Sequence, residues 1–184
     1  MSGMSAKEVR SENKLSFLRI LIVVLAIVAM LFVYLAGPGP IPRERGIQVA
    51  CMARLKSLEV SFKLYADDFD GSLPSVESWC DALGKYMLPK NLICPGSNAK
   101  ENQSSYAMNE YLDGKKLAEL PPDLVLLFES KPGWNMAGGA EILTIEHHEG
   151  EGCNVLFADG HIEFIGSDRI SELKWIISEN SSDE

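Results

Sequence analysis

The residues best suited to chemistry are three histidines, His147, His148 and His161, with Glu146, Glu149, Glu151 and Asp159 near them in the chain. Imidazoles beside carboxylates can hold zinc or iron. Their spacing argues against one shared site. Residues 154–165 read as two β-rich runs flanking Asp159-Gly160, a pair that tolerates the positive φ angles of a type I′ hairpin turn. His161 then sits just past the tip, while His148 precedes the first strand. At about 3.3 Å per residue, a five-residue strand separates them by roughly 15 Å. One metal cannot bridge that gap. His148 is therefore expected to be structural, hydrogen-bonded to the loop or hairpin, with partner contact as its other role. A metal-dependent envelope enzyme around the histidines is the weakest alternative. No nucleophile elbow, phosphate loop or metalloprotease helix occurs in the sequence. Neither catalysis nor a metal or cofactor is expected.

A second acidic group, Asp68, Asp70 and Glu77 around Gly71, has part of the spacing of a calcium loop. Ala66 stands at the first ligand position and Pro74 falls inside the loop, so a helix-ending turn is expected instead. The four cysteines, Cys51, Cys80, Cys94 and Cys153, contain no C-x-x-C pair. A zinc knuckle or thioredoxin-type site is thereby disfavoured. In an oxidising compartment, Cys80 with Cys94 closes the shortest sensible loop, leaving Cys51 with Cys153; buried free thiols are the alternative.

The elements that must carry these residues fall into two unlike parts. The 184 residues have room for one ordinary domain plus an appendage. The net charge of -9 disfavours nucleic acid as a partner, because phosphate recognition needs a basic surface. Mean hydropathy is near zero, yet every residue from Ile20 to Ala36 is apolar or aromatic. Residues 15–36 are long enough, as a helix, to span the roughly 30 Å of a bilayer core. An uncleaved anchor is expected; a signal peptide and a buried soluble helix are the alternatives. Lys7, Arg10, Lys14 and Arg19 precede the apolar run, and Arg43 and Arg45 follow it, which favours residues 1–14 in the cytoplasm. Residues 37–184 carry 13 Lys and Arg against 24 Asp and Glu, so the acidity belongs to the part beyond the anchor.

Gly37-Pro38-Gly39-Pro40-Ile41-Pro42 cannot continue a helix and reads as a stiff hinge over 37–42. From about Arg43 to Tyr65, Ile47, Cys51, Leu55, Leu58, Phe62 and Tyr65 recur at steps of three and four, one apolar stripe that must pack on something. A short helix over Asp81–Met87, a short strand or turn near Ser104–Asn109 and a strand over Leu124–Glu129 follow. After the hairpin, Ser167 can cap a last helix with Ile170, Leu173, Ile176 and Ile177 on one face. Residues 179–184 form an acidic tail.

Taken together, the apolar helix, Cys51–Leu58, Leu64–Pro74, Cys94-Pro95, Ser105–Asn109, Leu126–Glu129, His148 and Asn154–His161 resemble the prepilin-type, pseudopilin-like proteins, whose C-terminal domain carries a histidine and a downstream Asp-Gly. The match covers roughly residues 47–165. It implies an α+β, type IV pilin-like fold over 43–178, a long helix packed on a small antiparallel sheet, related to type II secretion pseudopilins. It also marks His148, Asn154, Phe157, Asp159, Gly160 and His161 as motif residues with structural or partner-contact roles. The usual Gly-Phe-Thr-Leu-Ile-Glu leader is replaced here by Lys14–Val23, with neither its glycine nor its glutamate. The resemblance therefore implies a non-processed relative or minor component of a type II secretion or pilus-like assembly. Its expected partners are the inner-membrane bilayer and other pilin-like helices, with the domain outside the cytoplasm. The rival expectation is a membrane-tethered envelope binding module using exposed Trp79 or Trp134.

Overall fold

The computed structural model describes residues 6–35 and 43–177. The proposed hinge at 37–42 and the tail at 179–184 lie outside them. Two units are present, divided near Ile41. The first is a single helix, α1, Ala6–Leu35. It starts nine residues before the apolar run, because Ala6–Lys14 are mostly good helix formers. Within it, Ser16–Leu35 is long and apolar enough to cross a membrane, and none of its side chains is buried. Arg19 is the one charged residue in that span.

The second unit is α+β. Helix α2, Arg43–Asp68, buries Cys51, Leu55, Leu58 and Phe62 of the expected stripe and adds Ala66, with Ile47 and Tyr65 half-buried against the same core. It runs three residues past Tyr65 and ends where Asp70 and Gly71 adopt positive φ, with Gly71 N–H bonded back to the Ala66 carbonyl at 2.8 Å. Asp70 faces Lys116. A short α3 follows, Trp79–Leu83. The five strands are β1 (Ser104–Asn109), β2 (Val125–Gly133), β3 (Ala137–Gly138), β4 (Gly152–Phe157) and β5 (Ile162–Gly166). They lie in the order β3-β1-β2-β4-β5. Only the β1–β3 pair is parallel, so the sheet is mixed.

The period-2 alternation of the strands divides the core between the two faces. Leu156 and Ala158 join Tyr106, Met108 and Leu126 against the α2 stripe, Trp79 and Leu83. Cys153, Val155 and Phe157 join Val125, Phe128 and Ile165 on the other face. Irregular chain covers that second face, through Met136, Ile142 and Leu143 and then Ile170, Leu173 and Trp175.

The last segment corrects the expected C-terminal helix. Only Ile170–Glu172 makes a 3-10 turn, and the chain then runs extended, Val125 N–H bonding the Lys174 carbonyl at 2.9 Å. Leu173 and Trp175 both face the sheet, a spacing of two that fits a strap and not a helix. Trp175 meets Phe128 edge to face at 4.8 Å, and Asn109 Nδ2 donates to the Trp175 carbonyl at 2.9 Å.

The hairpin is as expected, but its turn is not type I′. Gly160 N–H bonds the Phe157 carbonyl and Phe157 N–H bonds the His161 carbonyl, a three-residue loop in which Gly160 alone has positive φ, +89°. Glycine is required there twice over, since a Cβ would also lie 2.7 Å from Glu59 Oε1. Gly160→Ala is expected to destabilise the domain by about 1–2 kcal/mol, read as a lower urea midpoint.

Where Lys56 Nζ donates to the Gly160 carbonyl at 3.4 Å, Glu59 lies against this hairpin tip. Its side chain is buried, yet Lys56 (3.1 Å) and Lys63 both reach it. Burial raises its pKa, but the hydrogen bonds and charges of Lys63 and Lys56 outweigh that and hold it below the ordinary glutamate value of 4.5. A lowered folded-state pKa adds stability above pH 4.5 that is lost as pH falls through the folded value. Glu59→Gln should therefore flatten the acid side of the stability profile in pH-dependent urea melts; an acid arm as steep as wild type would count against this coupling.

Candidate functional site

Glu129 sits in the middle of β2 with no exposed surface. A buried carboxylate must find donors or abandon its charge. Three donors converge on it. Asn154 N–H reaches Oε2 at 3.0 Å, and Asn154 Nδ2 and His148 Nε2 both reach Oε1 at 3.1 Å. β2 and β4 are neighbours, and both side chains project to the α2 side of the sheet.

His148 comes from a different kind of element. The 3-10 turn Glu146–His148 ends at Glu149 and Gly150, both with positive φ, just before β4 begins. Gly96 packs on this turn so closely that a Cβ there would collide with the His147 carbonyl. The His148 ring, 1% exposed, lies between Glu129 on Nε2 and Glu44 on Nδ1, the latter at 2.8 Å. Glu44 lies in the first turn of α2. Phe164 closes the side edge-on, with ring centroids 5.5 Å apart. Burial alone disfavours a charged ring, but the hydrogen bonds and charges of Glu129 and Glu44 outweigh it, so the His148 pKa is raised. Each ring nitrogen thus meets a carboxylate, and Glu44–His148–Glu129 is a carboxylate–imidazole–carboxylate chain joining α2 to the sheet.

A disulfide lies directly against it. Cys51 on α2 is bonded to Cys94 in the loop before β1, across a separation of 43 residues. Cys94 Sγ is 4.0 Å from His148 Nε2. The Cys94 loop is held by Arg54, whose guanidinium donates to the carbonyls of Lys90 and Ile93, and by Ser105 Oγ, which accepts from Cys94 N–H at 3.0 Å. Tyr106 completes the wall, its Oη 3.5 Å from the Cys51 carbonyl, its pKa pushed well up by burial and then by Glu129.

This pairing corrects the expected one. Cys153 faces the opposite side of the sheet from Cys51, and Cys80 is held on α3 with its N–H on Asn135 Oδ1. Cys80 and Cys153 are buried free thiols whose pKa values burial pushes up to about 12. Neither is a thiolate at neutral pH, so neither is expected to react with iodoacetamide before unfolding, as mass spectrometry of the alkylated protein would show.

The six motif residues separate into two groups. His148 and Asn154 meet in the buried cluster. Phe157, Asp159, Gly160 and His161 gather at the hairpin end, where Asp159 Oδ1 accepts from His161 N–H at 2.9 Å and the His161 ring stacks on Phe157 at 4.2 Å. Asp159 is held below the usual carboxylate value chiefly by that backbone hydrogen bond. His147 turns elsewhere; its ring is 7% exposed, and burial lowers its pKa. Glu129 and Glu44 are the functional residues that sequence reasoning missed. The signal for Glu129 was present, an acid closing the apolar run Leu124–Phe128.

The aromatic binding surface expected at Trp79 is absent. Trp79 is fully buried, its Nε1 donating to the Met136 carbonyl at 3.0 Å, stacked with Phe62. Trp134 is 41% exposed and donates to Asp81 at 3.1 Å. Comparison of the chain with protein-family models, with curated proteins and with solved structures gives no match to any of the three.

Proposed function

We propose that the chain is a single-pass inner-membrane protein of the pseudopilin-like kind, displaying an α+β domain outside the cytoplasm as a component or divergent relative of a type II secretion or pilus-like assembly. Its role on this reading is structural and interactive. The observation that carries it is α1, whose Ser16–Leu35 span offers apolar side chains on every side and buries none of them. A helix hydrophobic all round needs lipid or other helices as its surroundings. A long helix packed on a mostly antiparallel sheet, within the second unit, agrees with the pilin-like resemblance. A disulfide buried in that unit suits an oxidising compartment.

The test is crosslinking and co-purification from native membranes, with protease added to intact spheroplasts. The expected result is a chain that keeps α1, a protease-accessible acidic domain and pilin-like partners in the crosslinked fraction. Recovery of the chain as a soluble, monomeric cytoplasmic protein would defeat the proposal.

A further inference from the structure

Among the described residues, one group of metal-ligating side chains converges, and it includes the disulfide. Cys51 Sγ, Cys94 Sγ, a Glu129 oxygen and a His148 ring nitrogen all lie within 4.8 Å of one another, and all four residues are buried. They arrive from α2, the loop before β1, β2 and the turn before β4, so the fold itself, and no single flexible loop, assembles them. Two sulfurs, one imidazole nitrogen and one carboxylate oxygen are a donor set for a tetrahedral, borderline-soft cation.

We propose that, with the Cys51–Cys94 bond reduced, Cys51, Cys94, Glu129 and His148 are the four ligands of a zinc-class divalent cation. The surrounding contacts are those that ligands require. Glu44 takes His148 Nδ1–H, which leaves Nε2 turned toward Glu129 and Cys94, the carboxylate–histidine arrangement that orients metal-bound imidazoles. Asn154 holds both oxygens of Glu129. Gly96 N–H points at Cys94 Sγ from 3.4 Å, a donor suited to a thiolate. A polar cleft of about 350 Å³ is lined by immediate neighbours of the cluster, among them Glu44, Pro95, Gly96 and His147.

The disulfide and the metal exclude each other. In a tetrahedral site with bonds of about 2.3 Å the sulfurs stand about 3.8 Å apart, further than bonded sulfurs allow. Conversion takes one dithiol, which reduces the bond by exchange. Two electrons and two protons pass to Cys51 and Cys94, the reductant leaves as its own disulfide, and the cation then displaces the two thiol protons and the His148 Nε2 proton to solvent. The cluster is thus a two-state joint between α2 and the sheet, cross-linked when oxidised and metal-bridged when reduced.

The test uses the full chain in detergent micelles, reduced with a water-soluble phosphine, which takes oxygen from water to become the phosphine oxide as the disulfide becomes two thiols. Cobalt(II) is the probe. The expected result is one equivalent bound with intense tetrahedral ligand-field bands and a thiolate charge-transfer band, both lost on adding zinc. Cys94→Ser and His148→Gln should abolish these bands, and Cys80→Ser with Cys153→Ser should leave them unchanged. Glu44→Gln, a half-buried residue that touches only the far ring nitrogen, should weaken affinity by about 10–100-fold and keeps the test decisive where His148→Gln does not fold. Absence of the thiolate band in the reduced chain overturns the proposal, as does its survival in Cys94→Ser, equal binding by the oxidised chain or unchanged affinity in Glu44→Gln.

Discussion

Replacing His148 with alanine is expected to cost the folded domain about 3–5 kcal/mol, because it takes a hydrogen-bond partner from the fully buried Glu129 and leaves a cavity beside it. Domains of this size hold only about 5–15 kcal/mol in all, so the variant should lie near the edge of folding at 37 °C. Truncation removes one of the three donors on Glu129 and also frees Glu44 from its anchor on the sheet. Glu129→Ala should cost a similar amount for the converse reason, since the His148 ring then keeps only Glu44 of its two carboxylate partners and Asn154 loses its acceptor. The double variant His148→Gln with Glu129→Gln should cost clearly less than the two single glutamine variants added together, because the two buried partners are replaced as a pair. Urea midpoints of the four proteins measure this. Additivity would show that the two side chains are not coupled, and the cluster would lose its place as the organising contact between α2 and the sheet.

The second large effect belongs to the disulfide. Cys51→Ser with Cys94→Ser opens a loop spanning 43 residues, for which the chain-entropy model gives about 4 kcal/mol at 25 °C. The thiols that remain, Cys80 and Cys153, lie on opposite sides of the sheet and cannot form a substitute link. In chelator, reducing the wild-type chain should move its urea midpoint toward that of the double variant, and the variant's own midpoint should not respond to reductant. A midpoint in the wild type that ignores reductant would mean the cross-link carries no stability. These two effects share a location, so they should not add: Cys94 lies 4.0 Å from His148, within the range where neighbouring substitutions couple.

Much of the architecture was legible, and the exceptions have specific causes. The α2 stripe could be read because a helix packed on one layer must repeat near 3.6, and Cys51, Leu55, Leu58 and Phe62 do. The β4–β5 hairpin could be read from Asp159-Gly160 between β-rich runs. Its turn type could not, because that depends on which amide closes the loop, here Phe157 on His161. Residues 167–177 carry both a helical and an alternating pattern, and the uncovered second face of the sheet selected the extended one. Disulfide pairing is a tertiary distance: loop length favoured Cys80–Cys94, whereas Arg54 draws the 90–93 carbonyls, and Cys94 with them, onto α2. Trp79 looked available for binding, but its indole fills the space between α2 and the sheet. The candidate site was half visible. His148 and Asn154 stood out, while Glu129 hid in an apolar run and Glu44, more than eighty residues away, had no local signal at all.

The central claim is that an oxidised Cys51–Cys94 link and the adjoining Glu44–His148–Glu129 chain fasten α2 to the sheet, in a domain proposed to lie outside the cytoplasm. It is tested most directly by trapping free thiols in intact cells at once, then mapping disulfides by mass spectrometry without reduction. The expected result is a single linked peptide pair containing Cys51 and Cys94, with Cys80 and Cys153 labelled only after unfolding. A map showing Cys80–Cys94 and Cys51–Cys153, or all four cysteines labelled as thiols, would contradict it.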